Sequence, residues 1–272
     1  MTWVAAADFR RAKDDGQRSL PCQDYGKVEH LDDHIMIGAV ASGAPHAAHS
    51  HIGARLAVRT ALDYLRGRSA TASDATADPT GARARTLYTG MVTAVQEQLR
   101  RAVVDHVAPF NDFAATLSVF VASPTAVAAM KIGAGLIVSR GHSGDYALLF
   151  GEGPVAAAPP VGYVTDHDPA AHMTISVKAG PVDFLCAAST PLDRLSLRKR
   201  DGAPQKEFFG PLDRYASTAP DDGEVHRGIR TFLRSNRVHD RLDHDVALAL
   251  CGYHRQGELF SQPQNLKRPD AA

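Results

Sequence analysis

Neither sign of charge is in excess in this chain. Lysine plus arginine and aspartate plus glutamate each number 30 in 272 residues. That balance gives no electrostatic reason to expect a nucleic-acid or anionic-membrane partner. The basic run Arg198-Lys199-Arg200 is short and reads as a solvated loop. No apolar run approaches the ~20 residues that span a bilayer, and no basic stretch followed by an apolar one marks Met1 to Arg10 as a secretory signal. Cysteine is scarce: Cys22, Cys186 and Cys251 are odd in number and far apart, with no CxxC spacing. A disulfide framework is therefore excluded, and a reducing cytoplasmic setting is expected. Cys186 and Cys251 lie in apolar runs, where a free thiol packs as a small hydrophobe.

What is present is an ordinary globular composition, 44% hydrophobic and 22% charged. Its length suits one domain with a sizeable core. A single domain is expected over residues 1–254, with 255–272 as a polar tail.

Alternation and turn residues predict strands at Trp3 to Phe9, Tyr25 to His30 and His34 to Val40, read as an antiparallel meander. Helical spacing of Ile52, Leu56, Ala57 and Leu65 predicts a helix from His51 to Arg66, with Ser50 as its cap. Ser69 to Thr80 reads as a flexible connection. A second helix spans Ala82 to Val107, with Leu87, Met91, Val95, Leu99 and Ala102 on one face and Pro109 as the stop.

Strand pairs follow. Ala114 to Ala122 pairs with Ala126 to Ile132 around Ser123-Pro124-Thr125, and Leu136 to Ser139 with Tyr146 to Phe150. Met173 to Val177 pairs with Val182 to Ala187. Leu192 to Leu197 suggests a short helix, and residues 199–222 an irregular insertion anchored by Phe208 and Phe209. Glu224 to Arg234 is a helix, and Val246 to Cys251 a final buried strand. Two consecutive helices inside a largely antiparallel set argue against a doubly wound parallel sheet. They argue for an α+β fold, a four-layer α-β-β-α sandwich of two mainly antiparallel sheets.

Several segments occur in this order: Leu20-Pro21-Cys22-Gln23-Asp24; Gly38-Ala39-Val40-Ala41-Ser42-Gly43 before Ile52-Gly53-Ala54-Arg55; Ala115-Thr116-Leu117; Ile132-Gly133-Ala134-Gly135; Phe184 to Leu192; Phe208-Phe209-Gly210-Pro211-Leu212; and His244-Asp245-Val246. Together they resemble the protein phosphatase 2C family in its bacterial form, across Trp3 to Tyr253. The resemblance implies a Ser/Thr phosphatase fold. Its active members hold two Mg²⁺ or Mn²⁺ ions on aspartates, which activate water and offset phosphate charge.

On that resemblance only Asp24 matches a metal-binding acid. Ser42 stands at the bridging Asp, followed by the retained Gly43. Ala134 stands at the Asp of Gly-Asp-Ser, Thr190 at the Asp of Ser-Asp-Gly, and His244 at the last metal Asp, with Asp243 or Asp245 in its place if the register shifts by one. Arg18 stands near the family's phosphate-binding Arg.

The expectation is a pseudophosphatase with vestigial metal positions, no catalytic residue and no bound metal. It binds a protein partner, a phosphoprotein or a Ser/Thr kinase, in phosphorylation signalling. The rivals are a divergent active phosphatase with a rebuilt site of Asp24, His244 and one of His46, His49 and His51, and a non-catalytic scaffold subunit. Three further groupings read as structural. Asp166-His167-Asp168 is a polar turn before Pro169. Ser139, His142 and Asp145 are too close on one hairpin to form a triad. Gly133-Ala134-Gly135 is no phosphate loop, because no helix follows.

Overall fold

A computed structural model describes residues 2–12, 21–142, 144–151 and 162–254. Arg18 and the tail at 255–272 lie outside the described residues. The architecture is the four-layer sandwich. One five-stranded antiparallel sheet has the order β2 (Asp24–His30), β3 (Met36–Ser42), β4 (Leu117–Ser123), β5 (Ala126–Ile132), β8 (Met173–Ala179). The other has the order β1 (Thr2–Arg10), β10 (Val246–His254), β9 (Phe184–Ala188), β6 (Leu136–Arg140), β7 (Ala147–Leu148). Helices α1 (Ser50–Arg66), α2 (Ser69–Ala77) and α3 (Ala82–His106) cover the first sheet. On the second sheet lie α4 (Asp193–Ser196), α5 (Lys206–Thr218), α6 (Asp222–Leu233) and α7 (Asn236–His239). Among the described residues no helix is long and apolar enough to cross a membrane.

Alternation along each strand accounts for three stacked cores. On β3, Ile37, Ala39 and Ala41 face the α1–α3 layer, while Met36 and Val40 face the opposite sheet. On β10, Val246, Leu248 and Leu250 meet the α5–α6 layer, while Ala247, Ala249 and Cys251 point between the sheets. Period-two side chains on a strand buried on both sides give continuous apolar runs of this kind. Between the sheets Phe120 is fully buried beside Met36 and Leu185. Gly38 on the neighbouring strand makes room for it, since a Cβ there would sit 2.2 Å from Phe120 Cζ.

The fold departs from the strand-by-strand expectation in several places. β1 pairs with β10, not with β2, so the first three strands are no meander. β8 pairs with β5 and β9 with β10 and β6, so the Met173 and Val182 segments belong to different sheets. Residues 69–77 form α2, held by Ala72, Ala75 and Thr76 against the sheet. Residues 206–218 form α5 despite Pro211, because Phe208, Phe209, Leu212 and Ala216 bury one helical face. Ser50 does not cap α1. It is the first helical residue, and its Oγ accepts a hydrogen bond from Gln23 Nε2 at 2.7 Å. The buried stripe of α1 runs through Ala54, Ala57, Val58, Ala61, Leu62 and Leu65, leaving Ile52 and Leu56 half-buried.

Candidate functional site

Three chain crossings meet at one end of the two sheets. Asp24 opens β2 and Ser42 closes β3, and the two are register partners. Thr116 clamps this corner: its N–H donates to Ser42 O at 2.9 Å, and its Oγ1 accepts from Ser42 N at 3.1 Å. Gly43 follows, where a Cβ would lie 2.7 Å from Ser50 Cβ, so a close approach of α1 requires glycine there. Gly133 (φ +80°) and Gly135 (φ +128°) turn the chain around Ala134 in backbone conformations that side chains resist. β6, not a helix, follows this turn. From the other sheet, Thr190 and Pro191 leave the end of β9, and His244 and Asp245 lead into β10.

These segments enclose a cavity of about 380 Å³, and Asp24, Ser42, Gly43, Ala134, Thr190 and His244 all line it. Tyr163, Arg194, Leu242, Thr116 and Asp245 line it as well. Tyr163 follows a stretch with no motif, so sequence offered no signal for it.

Two buried polar atoms of this corner, Asp24 Oδ2 and Ser42 Oγ, belong to residues that face each other across the ladder, and neither makes a well-aligned hydrogen bond to any other group among the described residues. Asp24 is only 5% exposed. Burial pushes its carboxyl up to about 7. The Ser189 hydroxyl draws it back, the charge of Asp245 pushes it further up, and the Ser42 hydroxyl draws it down. Asp245 is already committed, since its Oδ1 accepts from Ala12 N and its Oδ2 from Gln23 N, both at 2.6 Å. Cys22 is no ready nucleophile, because burial, and then Asp245, push its thiol well above the usual range. Arg194 is exposed and makes no ion pair or hydrogen bond among the described residues.

The other candidates fall elsewhere. None of His46, His49 and His51 lines the cavity. His46 packs edge-on against Tyr163, and His49 lies against His106 and Phe113. Burial lowers the pKa of His51, and His49, Arg55 and His106 lower it further. Ser139 receives Lys178 Nζ at 3.5 Å while His142 faces Asp183 at 3.6 Å, so the Ser139, His142 and Asp145 set does not act together. Asp166 and Asp168 accept from the N–H groups of Tyr163 and Ala171, the polar turn expected of them.

Hard divalent cations take several charged oxygens. At the family's metal positions this corner offers one carboxyl, Asp24, the hydroxyls of Ser42 and Thr190, an alanine and the His244 imidazole, and the neighbouring Asp245 carboxylate is engaged by backbone amides. That donor set does not fit a pair of Mg²⁺ or Mn²⁺ ions. Among the described residues no group of three or more His, Cys, Asp or Glu side chains is placed to hold a metal.

Residues 14–234 match a family model described as "Protein phosphatase 2C". No curated protein sequence matches the chain. Among solved structures, the chain is similar to the catalytic domain of the serine threonine protein phosphatase PstP in complex with two manganese ions. Identity is 16% and the TM-score 0.57, with 93% of this chain and 100% of that one covered. It is similar to PstP/Ppp of Mycobacterium tuberculosis at 12% identity and TM-score 0.56, covering 94% and 100%. A chain from work on the bacterial stressosome aligns at 13% identity and TM-score 0.54, covering 92% and 100%. At these identities the structural likeness speaks for the fold.

Proposed function

The chain belongs to the protein phosphatase 2C family, and from that membership we propose that it is a pseudophosphatase, a domain that binds a protein or phosphoprotein partner in Ser/Thr phosphorylation signalling without hydrolysing it. One observation carries the reading. Where the family resemblance expects carboxylates, the cavity presents Ser42, Ala134, Thr190 and His244 around a single buried Asp24. A self-repelling cluster of acids is thereby replaced by neutral side chains, so the empty fold is relieved of a cost.

Hydrolysis in this fold depends on paired metals that bring bound water to a pKa near ~7, from ~15.7 for free water. Phosphate monoesters are among the slowest uncatalysed substrates, needing up to ~10²¹-fold acceleration. Among the described residues lining the cavity, the acid that neighbours a hydroxyl is Asp24 beside Ser42, and a buried hydroxyl offers no opening to a substrate phosphorus. The partner is a protein such as a phosphoprotein or a kinase, met in the cytoplasm. Neither nucleic acid nor membrane is involved, in keeping with the balanced charge.

The test is turnover of a phosphopeptide and of p-nitrophenyl phosphate in excess Mn²⁺, Mg²⁺ or Zn²⁺, beside an Asp24→Ala control. No turnover is expected. Metal-dependent turnover that vanishes in the control would defeat the reading and promote an active enzyme with a rebuilt Asp/His site.

A further inference from the structure

We propose that the groove between α5 and the β6–β7 turn docks an extended acidic segment of a partner protein, with Lys206 and Arg214 as its two cationic anchors. This surface shares no lining residue with the Asp24 cavity, and it stands whether or not that cavity turns over phosphate.

The groove follows from how α5 packs. Phe208, Phe209, Leu212 and Ala216 bury one face of the helix against the second sheet. The other face turns Lys206, Gly210, Arg214 and Ser217 outward at helical spacing. These four line a groove of about 350 Å³, and Asp145 and Tyr146 form part of its far wall. Gly210 precedes Pro211, where a helix disfavours a Cβ. Its bare backbone leaves the floor open, since a Cβ there would meet only Tyr146 Oη, at 3.9 Å.

Asp213 decides the charge of this groove. It is 6% exposed and sits beside Arg214, which it would neutralise if it were free. Both of its oxygens are taken. Arg140 donates from Nε to Oδ2 and from Nη2 to Oδ1, and Tyr146 Oη donates to Oδ2 at 2.7 Å. Arg140 is spent in turn on Asp213, Gly141 O and Asp183. Lys206 and Arg214 are exposed, and neither side chain has an ion pair or hydrogen bond among the described residues. Asp145 is the one free acid among the described lining residues, so the groove keeps an unbalanced positive charge. A charged patch of this kind selects a partner of opposite sign.

Spacing favours an extended segment. Lys206 and Arg214 lie eight residues apart on α5, ~12 Å of helix at ~1.5 Å per residue. An extended chain covers that distance in about four residues at ~3.3 Å each. Carboxylates at that separation meet both cations at once. The Tyr146 oxygen, still able to accept, borders the stretch between them.

The experiment is fluorescence anisotropy with the full chain at low ionic strength. The probe is a labelled serine-glycine peptide carrying two glutamates four residues apart. Its glutamine twin and a short single-stranded oligonucleotide are the comparisons. The glutamate peptide is expected to bind and its twin not. Lys206→Met and Arg214→Met each weaken binding about 2- to 5-fold, the range of an exposed ion pair, and added salt weakens it further. Arg101→Met, on α3 in the opposite helical layer, changes nothing. Asp145→Asn tightens binding, a gain that unfolding cannot imitate. Thermal melting checks that the variants stay folded.

Affinity equal in the parent and both anchor variants overturns the assignment. So does a glutamine twin that binds as well as the glutamate peptide, or an Asp145→Asn chain that binds no better than the parent. An oligonucleotide that binds more tightly than the peptide overturns the acidic-protein part and gives the groove to a nucleic-acid backbone. None of these outcomes bears on the pseudophosphatase reading, which fails on metal-dependent turnover.

Discussion

Asp24 and Ser42 face each other as the last register pair of the β2–β3 ladder, and the Ser42 hydroxyl bears on the buried Asp24 carboxyl across it. An aspartate at Ser42 would therefore place a second carboxylate across from the first. Alone it would only repel Asp24. The triple change Ser42→Asp, Thr190→Asp, His244→Asp returns three charged oxygens to the cavity and should raise Mn²⁺ affinity measurably by calorimetry, while each single change does little. Pro191 limits the gain, because family glycine at that position reaches backbone angles that proline cannot. A triple variant that ignores Mn²⁺ would show that these positions are not the metal register.

A second expectation concerns pH. Asp24 titrates ordinarily near 3.8 and in the folded chain near about 7, chiefly because it is buried. The folded state thus holds this proton more tightly than the unfolded state. The associated stability is full below 3.8 and is lost as pH rises toward 7, at no more than about 1.4 kcal/mol per pH unit. Asp193 behaves alike, raised by burial to about 7 with Lys131 opposing. In urea titrations from pH 5 to 8, Asp24→Asn should lose less stability with rising pH than the parent, and Asp24→Asn with Asp193→Asn less again. Parallel curves for parent and variants would contradict this account.

Packing between the sheets gives a third. Phe120→Ala leaves a cavity in a fully buried site and should cost about 3–5 kcal/mol. Gly38→Ala drives a methyl to 2.2 Å from the ring and should cost about 1–3 kcal/mol. The double variant Gly38→Ala, Phe120→Leu should lose less than the sum of its two parts, since the smaller side chain relieves the clash. Additive denaturation energies would mean that the ring already avoids Gly38.

The fourth separates two neighbours at the cavity mouth. Asp245→Asn gives up one of two charge-assisted bonds to the amides of Ala12 and Gln23 and should cost about 1–3 kcal/mol. His244→Ala, at an exposed side chain, should stay within about 0.5 kcal/mol. The reverse order would assign the structural role to His244.

Much of the fold was legible where periodicity was strong. The stripe from Leu87 to Ala102 on α3 is buried as its spacing required, and Ser123-Pro124-Thr125 does turn β4 into β5. α2 was hidden because Ala and Ser give it almost no amphipathic contrast, and the sheet beneath holds it. α5 was hidden by Gly210-Pro211, a breaker overruled by the burial of Phe208 and Phe209. Strand partners resisted reading because pairing is not local: β8 and β9 are adjacent in sequence yet belong to different sheets. The cavity residues were legible only through family motifs. Arg194 and Tyr163 belong to none, and only the fold brings them there.

β10 lies between β1 and β9, with Thr2 opposite His254. Chain growth on the ribosome therefore delivers the two sheets at different times. By residue 179 every described strand of the first sheet has been made, whereas in the second sheet β1 waits for β10 to join it to β9. Until then β1 and β9 each present an open edge, a template for pairing with another chain. The His244 and Asp245 wall of the cavity arrives with that same late segment. Long-range closure of this kind is slow, so the cavity is complete only when folding is.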